Sequence, residues 1–253
     1  MSDLDTEPVL CTNCGAEQAS DYKYCSQCGA QKWANYEATQ VRRTAMTERI
    51  NTLGLFAGLM AVVILIAAFV NESWQSDIII SILFAALTLA FVLQQGSEVW
   101  KKILPSSFQA SGFLLAIGVT VGTAYLVPTL IAWANEALGF YDFEVTEIYM
   151  RLEHPRLVAI VFLALFPAIF EELALRGVVY HNLEKLSNPS LAILGSAFLF
   201  ALLHFSLLSL FWLFPFGLFL GWLRHRYQNM LYGMIGHFTH NALVVISELE
   251  GWF

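Results

Sequence analysis

Beyond residue 49 the chain is written in long apolar runs, and before it there is none. The runs fall at roughly 50–70, 77–94, 111–133, 157–183, 190–206, 207–223 and 230–247. Each approaches the ~20 residues a helix needs to cross the hydrocarbon core of a bilayer. Apolar positions within them are continuous rather than alternating. The pattern therefore predicts seven spanning helices, whose backbone groups are satisfied internally. Only Ser206 and Ser209 mark a turn within 190–223. Pro167, just ahead of Glu171, predicts a kink in its helix.

Composition agrees with this pattern and narrows it. The chain is 57% apolar and 13% charged, with a mean hydropathy of +0.61. Soluble domains carry about 25% charged residues, and a soluble core of this length could not bury so much apolar surface. An ordinary cytosolic enzyme and a disordered chain are excluded. The net charge of −7 speaks against nucleic acid as a partner. No secretory signal is expected, because an acidic, cysteine-bearing stretch precedes the first run.

Loop charges predict an orientation. Arg42, Arg43 and Arg49 precede the first run; Lys101 and Lys102 follow the second, Lys185 the fourth, and Arg224 and Arg226 the sixth. The other loops carry Glu72, Asp77, Glu136, Asp142, Glu144, Glu147 and Glu153 against Arg151 and Arg156. The positive-inside rule then puts the N-terminus in the cytoplasm and the C-terminus outside, as in a protein of a bacterial inner (plasma) membrane.

The polar start is a unit of its own. Cys11, Cys14, Cys25 and Cys28 form two Cys-x2-Cys pairs, each followed directly by glycine (Gly15 and Gly29). Such pairs grip one tetrahedral metal, and four thiolates close its coordination shell, so a structural zinc ribbon over 1–33 is expected. About 30 residues cannot build a sufficient core, so the metal would supply the folding energy. Two disulfides are the alternative; they need an oxidising compartment, which a cytoplasmic N-terminus disfavours. A polar connector follows at 34–49, and the membrane domain occupies 50–253.

Ionisable groups at membrane depth default to a functional site. The first three runs have none in their middles and read as scaffold. The last four together hold Glu171, Glu172 and Arg176, then His204, then His237, His240 and Asn241, with none in 207–223. Neighbours on a helix point about 100° apart, so Glu171 and Glu172 are not expected to face one site. Glu172 and Arg176, four apart, are placed for an ion pair, which leaves Glu171 free. His237 and Asn241 share a face, and His204 ends a run with Phe200 one turn before it. A carboxylate, two imidazoles and an amide in a low-dielectric cavity can activate water and stabilise an oxyanion.

Glu171-Glu172-x3-Arg176, Phe200-x3-His204 and His237-x3-Asn241 resemble, in order, the three motifs of the CPBP (Abi) intramembrane protease family, which includes the type II CAAX prenyl endopeptidases. The resemblance covers roughly residues 110–250, with the motifs inside 157–247. It implies an all-α bundle, drawn with eight spans against the seven runs counted, and cleavage of a membrane-associated, CAAX-like protein within a cavity open to lipid. It also implies that Glu171 and His204 activate the attacking water, that His237 and Asn241 hold the oxyanion, and that Glu172 and Arg176 orient them. The family has been described both as metal-free glutamate proteases and as zinc metalloproteases. No HExxH is present, and two histidines with a glutamate could still ligate a catalytic zinc; metal-free activation ranks ahead.

Plainer readings stand beside these. Glu172 with Arg176 reads as a buried ion pair locking the bundle, and Asn241 as a helix–helix hydrogen-bond partner. His240 competes with His237 for its role. His154, His181 and His225 read as solvated. The aromatic stripe Phe205, Phe211, Trp212, Phe214, Phe216, Phe219 and Trp222 reads as lipid-facing or core packing. As a whole, the rival to a protease is a non-catalytic membrane adaptor or bacteriocin-immunity-type protein whose ribbon docks a cytoplasmic partner; a transporter is disfavoured because no inverted repeat is visible.

Overall fold

The computed structural model describes residues 9–20, 22–104, 107–138, 145–204 and 207–252. Asp142, Glu144, Phe205 and Ser206 lie outside the described residues. The chain divides into two compact units, Met1–Thr52 and Leu53–Phe253.

The first unit holds a two-stranded antiparallel ribbon, β1 (Val9–Leu10) and β2 (Glu17–Gln18), with Val9 opposite Gln18 and Leu10 opposite Glu17. Two near-identical turns build it. In each, the glycine N–H donates to the carbonyl of the first cysteine, Gly15 to Cys11 at 2.8 Å and Gly29 to Cys25 at 2.9 Å. Gly15 and Gly29 sit at φ of 73° and 72°, a backbone state that side-chain-bearing residues rarely adopt. Ser26 donates through N and Oγ to Gln18 Oε1, at 3.0 and 3.1 Å, and so ties the second turn to β2. The expected polar connector is helical: α1 runs unbroken over Lys32–Phe69.

The second unit is all-α. After α1 come α2 (Trp74–Gln94), the one-turn α3 (Ser97–Trp100), α4 (Ala110–Leu138), α5 (Pro155–Leu186), α6 (Pro189–Leu203), α7 (Leu207–Tyr227) and α8 (Leu231–Glu250). Each of the seven apolar runs is therefore a helix. Their starts are specified locally: Ser73 and Ser76 form a reciprocal capping box at α2, and the Asn188 side chain accepts from Leu191 N at 3.0 Å, with Pro189 at the first position of α6.

Gln40–Phe69, α2, Ala110–Ala137 and α5 are long and apolar enough to cross a membrane; α6 is apolar but shorter. Among the described residues, a core of Phe56, Phe91, Val92, Leu173, Val178, Phe200, Leu220 and Met230 binds the bundle. Helix α6 packs along α7, and α8 packs along α4 and the first half of α5.

Helix α5 is not uniformly wound. Ile160–Leu165 and Leu173–Val179 are π-helical, with α-helical turns before, between and after. Pro167, where a kink is expected, sits in Phe166–Glu172, the segment between these winding changes that carries both glutamates. Such inserts recur at functional sites.

Candidate active site

The second π segment and its flank carry Glu172 and Arg176, both 0% exposed. The expected ion pair forms: Arg176 Nη1 donates to Glu172 Oε1 at 2.8 Å. Arg176 Nη2 donates to the Gly217 carbonyl on α7, also at 2.8 Å, and the guanidinium lies over the Phe200 ring of α6, 5.2 Å from its centroid. One buried cation thereby joins α5, α6 and α7. Glu172 also lies against α8 at Gly233, where a Cβ would fall 2.7 Å from Glu172 Oε2; only glycine leaves room for the carboxylate.

His237, 2% exposed on α8, points its ring into this cluster. Its Nδ1 is 3.5 Å from Glu172 Oε1 and its Nε2 is 3.9 Å from Glu171 Oε2. The expectation that the two glutamates cannot face one site is corrected here. An imidazole has a nitrogen on each of two edges, and a ring set between the two side chains meets both carboxylates despite their angular offset. Glu171 Oε2, Glu172 Oε2, Arg176 Nε and His237 Nδ1 are buried with no hydrogen-bond partner among the described residues. Orphaned buried polar atoms are rare, and catalytic sites are one place where they persist.

His204 follows the last turn of α6 and is exposed. Its Nδ1 is 2.9 Å from the Phe200 carbonyl, a contact that makes this nitrogen the donor. The Phe200 ring meets His204 edge-on at 5.1 Å and His237 at 5.6 Å. The two imidazoles therefore flank one ring. Asn241, one turn beyond His237, donates from Nδ2 to the Leu163 carbonyl of α5 at 3.3 Å.

His240 turns to another face. Its Nδ1 is 3.0 Å from Thr123 Oγ1 on α4, and its ring lies against Trp212 and Phe216 at 4.7 and 4.9 Å. Of the two histidines, His237 is the one beside the glutamates. Trp212 and Phe216, from the aromatic stripe, serve as core packing around these rings.

Several participants carried no signal in the sequence. Gly217 offers only a backbone carbonyl and Gly233 only the absence of a side chain. His181, expected to be solvated, is buried at 5% exposure, with Nε2 3.5 Å from Glu98 Oε2, because α5 continues to Leu186 and keeps it inside the bundle. Surface hollows lie at Val62–Val70 and at 153–157, away from the glutamate–histidine cluster.

The four cysteines gather independently. Their sulfurs all lie within 4.8 Å of one another, with Cys11–Cys28 at 3.8 Å and Cys14–Cys25 at 3.6 Å. A zinc ion bonded to four sulfurs at about 2.3 Å spaces them about 3.8 Å apart, so the cluster fits a metal, and the thiols are free. The Asn13 side chain and the Ala30 N–H pull the Cys28 pKa down to about 6. The Ala16 N–H pulls on Cys14 too, but hydrogen bonding to the neighbouring sulfurs, Cys28 first, together with burial outweighs it and pushes Cys14 up to about 12. A divalent cation relieves that crowding of thiolates. Among the described residues, no other group of three or more His, Cys, Asp or Glu side chains comes together closely enough to hold an ion.

A helical bundle with long apolar helices and a buried carboxylate–imidazole–guanidinium cluster is an integral membrane protein with an enzyme-like interior. Residues 153–243 match the family model described as type II CAAX prenyl endopeptidase Rce1-like, a segment holding all three motifs, which bears out the resemblance to the CPBP family and supports a CAAX-type intramembrane protease in general. No curated protein and no solved structure matches the chain.

Proposed function

We propose that this protein is an intramembrane endopeptidase that hydrolyses a peptide bond of a membrane-associated, prenylated CAAX-like protein without a catalytic metal. The observation that carries this reading is the approach of Glu171 Oε2 to His237 Nε2 at 3.9 Å, a gap one water oxygen can bridge with ordinary hydrogen bonds to both atoms. Glu171, assisted by His204, takes a proton from that water as its oxygen attacks the carbonyl carbon. His237 Nε2, released by the water as it adds to the carbon, and Asn241 donate to the oxygen that becomes negative. On collapse the C–N bond breaks, and the proton held by Glu171 passes to the leaving amine.

Geometry supports these roles. His237 Nδ1 faces Glu172 Oε1 at 3.5 Å, which leaves Nε2 as the nitrogen turned towards Glu171. Glu172 and Arg176 are positioning residues. The ribbon's metal would be zinc, held by Cys11, Cys14, Cys25 and Cys28 in a structural role, since four thiolates leave no open position. The loop charges favour a cytoplasmic N-terminus and an external C-terminus.

The test is Glu171→Gln in the full chain reconstituted with a farnesylated CAAX reporter peptide. A positioned general base contributes about 100- to 10,000-fold, so cleavage should fall by at least about 100-fold while the unfolding temperature holds. Retained cleavage would remove Glu171 from the reaction.

A further inference from the structure

Pro167 lies four residues before Glu171, in the α-helical stretch Phe166–Glu172 between the two π segments. In an α-helix the N–H of residue 167 would donate to the carbonyl of residue 163, but proline has no N–H. The preceding residue does not serve that acceptor either, since the Phe166 N–H donates five residues back, to Val161. The combination of a π turn and a proline leaves the Leu163 carbonyl without its ordinary donor at membrane depth, where an unpaired carbonyl is costly. A donor from another helix reaches it: Asn241 Nδ2, at 3.3 Å.

We propose that Asn241 is a positioning residue for Glu171: its amide stands in for the N–H that Pro167 lacks and locks the glutamate-bearing turn of α5 to α8. The tie reaches the helix one turn ahead of Pro167, and Glu171 follows one turn after it. It also holds Asn241 itself. A primary amide carries two hydrogens on one planar nitrogen, so anchoring one on Leu163 fixes the direction of the other. The consequence for catalysis rests on the reading of Glu171 as the base, whereas the tie does not.

The experiment restores the missing donor at its source. Asn241→Asp, Asn241→Ala and Pro167→Ala, singly and combined, are made in the full chain and followed by thermal unfolding in detergent and by kcat and KM on the farnesylated reporter. Asn241→Asp should lower Tm by about 5 °C when Pro167 is kept. The loss should be less than about half of that in the Pro167→Ala background, where a backbone N–H at position 167 can serve Leu163. Misplacement by about 1 Å costs on the order of 100-fold. Adding Pro167→Ala to Asn241→Ala should therefore recover kcat about tenfold with KM unchanged. An Asn241→Ala protein that folds only with Pro167→Ala supports the tie equally. Equal Tm losses in both backgrounds overturn the proposal. So do coupled losses without kcat recovery, since the tie would then hold the bundle and not the base. If the wild-type protein leaves the reporter uncut, the proposed activity fails separately. Backbone hydrogen exchange over 164–172, faster in Asn241→Ala and restored by Pro167→Ala, then decides the tie.

Discussion

Arg176 does two jobs from one buried position: it neutralises Glu172 and caps the Gly217 carbonyl. Removing it strands a carboxylate in the interior, and breaking such a pair costs about 3–5 kcal/mol. Arg176→Ala should accordingly lower the unfolding temperature by more than any Glu171 variant. A lysine offers a point charge in place of a planar fork, so Arg176→Lys should recover part of that loss, because its ammonium cannot reproduce both bonds. Thermal unfolding of the three proteins side by side checks the order. The Glu172–Arg176 pair was legible from a four-residue spacing on a helix. The meeting of both glutamates at His237 was not, because a helical wheel places directions and not the reach of side chains or the two nitrogens of one ring. Gly217 and Gly233 contribute a carbonyl and an empty space, and neither leaves a chemical mark in the sequence.

At the scale of elements, seven apolar runs announced seven helices because a continuous run satisfies its backbone internally; among the described residues four of them are long and apolar enough to cross a membrane. The π windings of α5 went unseen: a segment apolar on most of its surface gives no periodicity from which a change of register can be read. The capped starts at Ser73 and Asn188 were equally readable in principle, being local residue chemistry. The turn ahead of α5 depends on contacts far along the chain. Tyr149, fully buried, donates its hydroxyl to Asp77 Oδ2 in the first turn of α2, and the Thr146 N–H donates to Glu248 Oε1 on α8 at 3.0 Å. Leaving a buried acceptor unpaired costs about 1–3 kcal/mol. Tyr149→Phe should therefore raise hydrogen exchange over 145–152 by at least about fivefold while the exchange of α6 and α7 stays unchanged.

The whole molecule divides into a small cysteine-bearing unit and a helical membrane unit, a division visible in the sequence as the boundary between polar and apolar chain. Their chemistry separates in the same way, sulfur in one and carboxylate with imidazole in the other. Metal content therefore gives a clean readout. The purified wild-type chain should carry one zinc, and a variant with Cys11, Cys14, Cys25 and Cys28 all replaced by serine should carry none. Two falling to one would assign a second ion to the membrane unit and overturn the metal-free reading.

Helix α6 has 15 residues and so rises about 22 Å, against a hydrocarbon slab of ~30 Å. A bilayer that it crosses would have to sag by several ångströms, or its headgroups sink, to meet its ends. His204, immediately after that short helix, would then stand where the bilayer is already dimpled, and a polar peptide tail would have less oil to cross. Turnover should climb in dimyristoyl vesicles and fall in dieicosenoyl ones, a dependence on membrane thickness that a site reached wholly from water would lack.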